Sequence, residues 1–201
     1  MIPIFPVRRK VLFPGILFHC AVARPEQVLT VLETIRGRKW LAALPVRSHD
    51  SPPGGQASAV CLARIRSVQF MPDGGLLITI LGIARAHILS EVPRGKPYRF
   101  ARIELMDDAG DDLMPPDGWL KDAHAAIGAL RAGTGESTDP YPPTIWLDLL
   151  CHFLPVPFDA KVQLLAECCN RRRCDMLASY GPYWKRNQLM RKYLPRLFRP
   201  N

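Results

Sequence analysis

Along the first hundred residues, apolar positions alternate in short runs more often than they recur at helical steps. Residues 2–7, IPIFPV, and 11–22, VLFPGILFHCAV, are rich in β-branched and aromatic residues and broken by prolines. They predict short strands near sheet edges, where a residue without an N–H is tolerated. Pro25 opens a helix, because its fixed φ suits the first helical position. Val28, Leu32 and Ile35 follow on one face, and Gly37 ends the helix. WLAALPV, 40–46, is apolar throughout and predicts a buried strand. RSHDSPPGGQAS, 47–58, is a connecting loop whose Pro-Pro-Gly-Gly core cannot propagate regular structure.

The clearest pattern is RIRSVQFMPDGGLLITILGIARAHI, residues 64–88. It alternates, turns at Pro72-Asp73-Gly74-Gly75, and alternates again, so 60–89 predicts a hairpin. Leu77, Thr79 and Leu81 share one face of its second strand, and Leu76, Ile78 and Ile80 the other. Both faces are largely apolar, which predicts a strand covered on both sides. Gly82 inside this strand marks a bulge or bend. YRFARIELMDD, 98–108, predicts another strand. Short strands with one early helix make a small mixed sheet, bent or closed like a barrel.

The pattern changes after residue 108. DDAGDDLMPPDG is an acidic, turn-rich linker. Trp119, Ala123, Ile127 and Leu130 fit one helix face, ended by Gly133. GTGESTDPYPP breaks the chain again and leads to a short apolar helix, TIWLDLLCHFL. Asp159 caps a longer helix expected to run to about Tyr180, with Val162, Leu165, Cys169, Met176 and Tyr180 inward. The expected domains are therefore a β-rich lobe over 1–108, a helical lobe over 109–182 and a basic tail over 183–201.

Composition adds a sign rather than a reaction. The chain has 201 residues with 48% hydrophobic content, enough for a core, and a net charge of +9. Residues 183–201 hold six Lys or Arg and no acid, a solvated tail or an arm for phosphates or acidic proteins. Six cysteines form no CxxC pair, and most lie in apolar runs, where a reduced thiol packs as a small hydrophobe. RRK at 8–10 before an apolar stretch imitates a secretory leader, but Pro14, Gly15 and His19 interrupt it. No run reaches the roughly 18 apolar residues needed to span a bilayer. A phosphate-binding G-x-x-x-x-G-K-[ST] loop, G-x-S-x-G and H-E-x-x-H are all absent, so no catalytic residue is assigned. His19, His49, His87, His124 and His152 are scattered, and Asp107, Asp108, Asp111 and Asp112 lack the spacing of a calcium loop, so no metal or cofactor is expected. Arg64 and Arg66 on the hairpin are candidate anion-binding residues. Phe70 is the only aromatic in 60–89, a poor stacking platform for unpaired bases.

These pieces together resemble the Lon N-terminal domain, the Lon substrate-binding domain. The resemblance rests on Pro3, Phe5 and Pro6; on Val11, Leu12, Phe13, Pro14 and Gly15; on Pro25; and on Ala63, Arg64, Ile65, Asp73, Gly74, Gly82 and Arg85. It continues in AKVQLLAECCNRRRCDML, 160–177, with Lys161, Gln163, Leu164, Leu165, Glu167 and Arg173 in register. The chain departs from the family pattern at His19-Cys20, at Arg24-Pro25-Glu26-Gln27 and at Val60. The resemblance implies an α+β fold, a PUA-like β-rich pseudo-barrel lobe followed by a C-terminal helical bundle. It makes residues 11–23 an internal strand rather than a leader. It implies a stand-alone, non-catalytic, cytoplasmic module, without the ATPase and Ser-Lys protease domains of full-length Lon, that binds unfolded or partner protein segments. A separate ATPase or protease is a candidate partner, nucleic acid the alternative ligand, and no membrane is involved. The candidate peptide contacts are Phe13, Phe18, Arg24, Phe70 and Met71.

Overall fold

The computed structural model describes residues 1–47, 59–107, 143–154 and 156–180. The loop at 48–58, the acidic linker, the helix expected around 119–130 and the basic tail lie outside the described residues. The strands are β1 (Ile2–Arg8), β2 (Leu17–Val22), β3 (Trp40–Val46), β4 (Ala59–Phe70), β5 (Leu76–Glu91) and β6 (Phe100–Leu105). The helices are α1 (Pro25–Arg36), α2 (Pro143–Phe153), α3 (Phe158–Ala166) and α4 (Asn170–Ser179). The chain divides into two compact units, one of residues 1–107 with 158–166 and one of 108–157 with 167–201.

In the first unit, six strands run in the order β2-β5-β4-β3-β1-β6, and β5 also pairs with β6. The sheet therefore closes on itself through β5-β4-β3-β1-β6, the PUA-like pseudo-barrel. β1 and β3 are parallel and the other pairs antiparallel. Alternation explains the core: Ile4, Ala42, Leu44, Val60, Ala86 and Ala101 pack together, with Ile2, Val46, Ile88 and Ile103 against them. Pro6 is tolerated in β1 because its nitrogen lies on the same side as Ile4 N, which donates to Arg99 O, and β6 reaches only Ile2 and Pro3 there.

β5 is long enough to serve two neighbours along one edge. Its first half pairs with β2 over Leu76–Leu81, and its second half with β6 over Ala86–Glu91. A register shift opposite Leu62 and Ala63 separates the halves at Gly82 and Ala84, the bulge that the lone glycine predicts. Gly82 also lets another segment cross. Its N–H donates to Ile16 O at 3.0 Å, and its carbonyl accepts from Gly15 N at 2.9 Å.

Three expectations change. Residues 11–16 form a buried turn rather than a strand, because Phe13 to Ile16 fold over Gly82, and only Leu17–Val22 is extended. In α1 the most buried residues are Thr30, Val31 and Thr34, with Val28, Leu32 and Ile35 half-buried. Burying the threonines is cheap because their hydroxyls donate to the carbonyls of Glu26 and Thr30, each at 2.7 Å. The single helix expected from Asp159 to Tyr180 is two, α3 and α4. The Glu167 carboxylate accepts the Cys169 N–H at 2.9 Å, a local bond that competes with helix continuation. The buried line accordingly runs through Ala160, Leu164 and Leu165 in α3 and through Asn170, Arg173, Cys174 and Leu177 in α4.

The second unit has a polar centre. Arg173 on α4, fully buried, donates to Asp148 of α2 at 2.5 Å and to Asn170. In the first unit α3 packs on β4 and β5, and Asp159 at its start receives the Arg47 guanidinium.

Candidate functional site

The sheet face formed by β2, β5 and β4 is open where a strand covered on both sides was expected. Leu77, Thr79 and Leu81 point away from the buried Leu76, Ile78 and Ile80. Their cross-strand partners make three rows. Leu17, Leu81 and Arg64 form the first, His19, Thr79 and Ser67 the second, and Ala21, Leu77 and Gln69 the third. Leu17 is 54% exposed and Leu77 40%. His19 Nδ1 and the Thr79 hydroxyl share a hydrogen bond of 2.9 Å across the middle row. The Arg64 guanidinium lies 5.8 Å from the Trp40 ring centroid, so its stem extends the apolar row toward β3.

The hairpin end adds two more exposed apolar side chains, one of them the most exposed of this region. Phe70 is 74% exposed and Met71 37%. The turn is held by Met71 N–H to Gly75 O at 2.9 Å, and by Asp73 Oδ1, which accepts from Gly75 N at 3.0 Å. Phe70 pairs with Leu76, and Leu76 with Val22, the last residue of β2. Arg24 follows two residues later and meets Glu26 at 3.8 Å. The ladder therefore brings Phe70, Met71 and Arg24 to one end. Phe18 sits opposite Ile80, about 13 Å along β2 from Val22 by strand rise. Lys10 caps the Phe18 ring at 5.1 Å. Phe13 is fully buried against Gly82, and its part is packing.

Arg66 is exposed at the second register shift of β4 and stands apart from the Arg64 row. Leu17, Leu77 and Leu81 were not singled out from the sequence. The available signal was Thr79 in the middle of their line, with Ser67 and Gln69 opposite. Cys20, half-buried beside Lys10, has its thiol pushed up from 9.0 to about 11 by burial, which the lysine's charge partly opposes. Among the described residues no group of three or more His, Cys, Asp or Glu could hold a metal ion. No described helix is long and apolar enough to cross a membrane. The site offers apolar contact, backbone hydrogen bonds at a strand edge and positive charge, which is the equipment of a binding surface.

A pseudo-barrel lobe with a helical bundle is the architecture of Lon N-terminal domains. The structure resembles the crystal structure of a Lon N-terminal domain protein from Xanthomonas campestris, with TM-score 0.65 and 19% identity over 89% of this chain and 97% of that one. It also resembles the N-terminal domain of a Mycobacterium avium complex Lon protease, with TM-score 0.62 and 16% identity over 89% and 96%. Residues 1–180 match the ATP-dependent protease La (LON) substrate-binding domain, and the chain belongs to that family. It is 28% identical over 112 residues to the Lon protease of Azorhizobium caulinodans, covering 54% of this chain and 13% of that protein. It is 27% identical over 111 residues to the Lon protease of Anaeromyxobacter dehalogenans, again covering 13% of the relative.

Proposed function

We propose that this chain is a non-catalytic recognition module that binds unfolded or extended protein segments on the face of β2, β5 and β4 and its hairpin end. The observation that carries this reading is the exposed apolar set Leu17, Leu77, Phe70 and Met71, edged by the cations Arg24 and Arg64. Apolar groups of this kind, rimmed by polar ones, mark interaction sites. Leucine, methionine and phenylalanine contacts adapt to many sequences, which suits a binder of unfolded chains. The basic rim speeds encounter with acidic partners and adds little affinity in salt. The matched relatives are Lon proteases, so a captured segment would be passed to an ATPase or protease or held by this module itself.

The test is fluorescence anisotropy with labelled, reduced and carboxymethylated α-lactalbumin, a chain that stays unfolded, at low and high salt. The expected result is binding that survives high salt and weakens about tenfold in the Phe70→Ser, Met71→Ser double variant. Binding unchanged in that variant would overturn the reading. A single-stranded RNA that binds more tightly, with a steep salt dependence abolished by Arg64→Ala and Arg66→Ala, would put nucleic acid in its place.

A further inference from the structure

We propose that the free edge of β2 is a docking edge, taking an extended segment of a partner protein as an added strand. The segment would carry apolar residues on one face and acidic residues on the other. This rests on the protein-binding reading above and specifies how that site is used.

Three observations carry it. First, β2 pairs with β5 on one side, and among the described residues no strand pairs with its other side. The bond from Gly82 N to Ile16 O sets the phase of the β2–β5 ladder, which has no register shift along Leu17–Val22. The backbone groups of Phe18, Cys20 and Val22 therefore face β5. Those of Leu17, His19 and Ala21 point out of the sheet, ready to bond an added strand. Second, the strand itself carries none of the usual guards. Leu17–Val22, LFHCAV, contains no charged residue, proline or glycine, the devices that keep sheet edges from pairing. Third, its surroundings select a partner. Leu17 and Ala21 are exposed on one face of β2 and would meet apolar side chains of the added strand. On the other face Lys10 sits over Phe18, so acidic side chains are favoured there. A second copy of β2 would add another Lys10 and Arg24 to the same edge, and that repulsion disfavours self-pairing.

The probe is a fluorescein-labelled peptide of about ten residues, long enough to pass the edge of β2, with alternating valine and glutamate; valine and lysine alternate in the control. Anisotropy is measured with the full chain and its His19→Ala, His19→Pro and Ala21→Pro variants. Proline at either position removes an outward N–H and leaves the β5 ladder intact, whereas His19→Ala keeps the N–H. The expected result is preference for the glutamate peptide, retained by His19→Ala and weakened about tenfold by each proline. Folding is checked by circular dichroism. Should neither proline variant fold, amide exchange of the unaltered chain decides, with protection by the peptide expected at Leu17, His19 and Ala21. Equal binding by folded proline variants, or no protection at those amides, overturns the docking edge. Self-association that sedimentation shows to be lost in Ala21→Pro assigns the edge to a second copy and also overturns it. Failure of the peptide while unfolded α-lactalbumin still binds refutes the edge alone; failure of both refutes the protein-binding reading.

Discussion

Gly82→Ala is the substitution for which the structure gives the sharpest magnitude. A Cβ on Gly82 would stand 2.2 Å from Phe13 O, 2.9 Å from Phe13 C and 3.0 Å from Cys61 Sγ. Two of these are backbone atoms, so no rotamer change relieves the clash. The Phe13–Ile16 turn must lift away from β5 by roughly 1.3 Å or more, given that buried atoms pack at about 3.5–4 Å. Lifting it strains both bonds that hold the crossing, Gly15 N to Gly82 O and Gly82 N to Ile16 O, worth about 1 kcal/mol each. Overpacking adds about 1–3 kcal/mol. The sum is about 3–5 kcal/mol, a large part of the roughly 5–15 kcal/mol that holds a domain folded. For a chain of this size the midpoint should fall by about 6–20 °C.

The assay is urea and thermal unfolding followed by far-UV circular dichroism, with Gly74→Ala as comparison. Gly74 has φ +81° and nothing within 4 Å of an added Cβ, so its substitution costs only left-handed strain, about 1–2 kcal/mol. Gly82→Ala should be clearly the worse of the two. Equal stabilities, or a Gly82→Ala protein within about 0.5 kcal/mol of the unaltered chain, would refute the close-crossing argument.

Asp148→Ala should destabilise the helical unit by about 3–5 kcal/mol, because it strands the fully buried Arg173 guanidinium; chemical denaturation followed through α2 and α4 measures this. Asp159→Ala should cost under about 1 kcal/mol by the same measurement, because both members of its ion pair with Arg47 are well exposed. Phe70→Ser with Met71→Ser should change stability by about 0.5 kcal/mol or less, because the hairpin end contributes little buried surface, and a melt equal to that of the unaltered chain checks it. Cys20 and Cys174 keep their protons in the fold until about pH 11, against 9.0 ordinarily, because burial disfavours the thiolate. Their contribution is complete below pH 9.0 and is lost as the pH rises through about 11, so Cys20→Ser should flatten the alkaline fall in melting temperature.

Much of the β unit could be anticipated because alternation, turn residues and one interior glycine are local signals. Pro72 to Gly75 announced the hairpin, and Gly82 announced the bulge. The sequence could not show what sits opposite a residue. Val11 to Ile16 has strand composition, yet the Phe13 backbone folds over Gly82 to make the crossing. Leu77 and Leu81 look nearly as buried as Ile78 and Ile80, with Thr79 between them the one local hint, and the register with His19, Ser67 and Gln69 shows their face to be open. In α4, Arg173 looks like one member of a solvated basic run, but Asp148, 25 residues earlier, accepts a hydrogen bond from its guanidinium in the interior. The resemblance fixed the family before any contact was known. It named no binding residue, so the site had to come from exposure and pairing.

The open edge and the closed barrel have one cause. The ring β5-β4-β3-β1-β6 needs only the second half of β5 on its far edge, because β6 pairs with Ala86 to Glu91. The bulge at Gly82 turns β5 into two offset strands, and its first half, Leu76 to Leu81, is left for β2. The Phe13–Ile16 turn, anchored on Gly82, delivers β2 onto that half. β2 therefore lies outside the ring, with one side bonded to β5 and, among the described residues, no strand on the other. A substitution at Gly82 should then affect recognition as well as stability. At temperatures where the Gly82→Ala protein is still folded, its affinity for an unfolded chain should drop even though no contact residue has changed. Unaltered affinity in that folded protein would separate the crossing from the site.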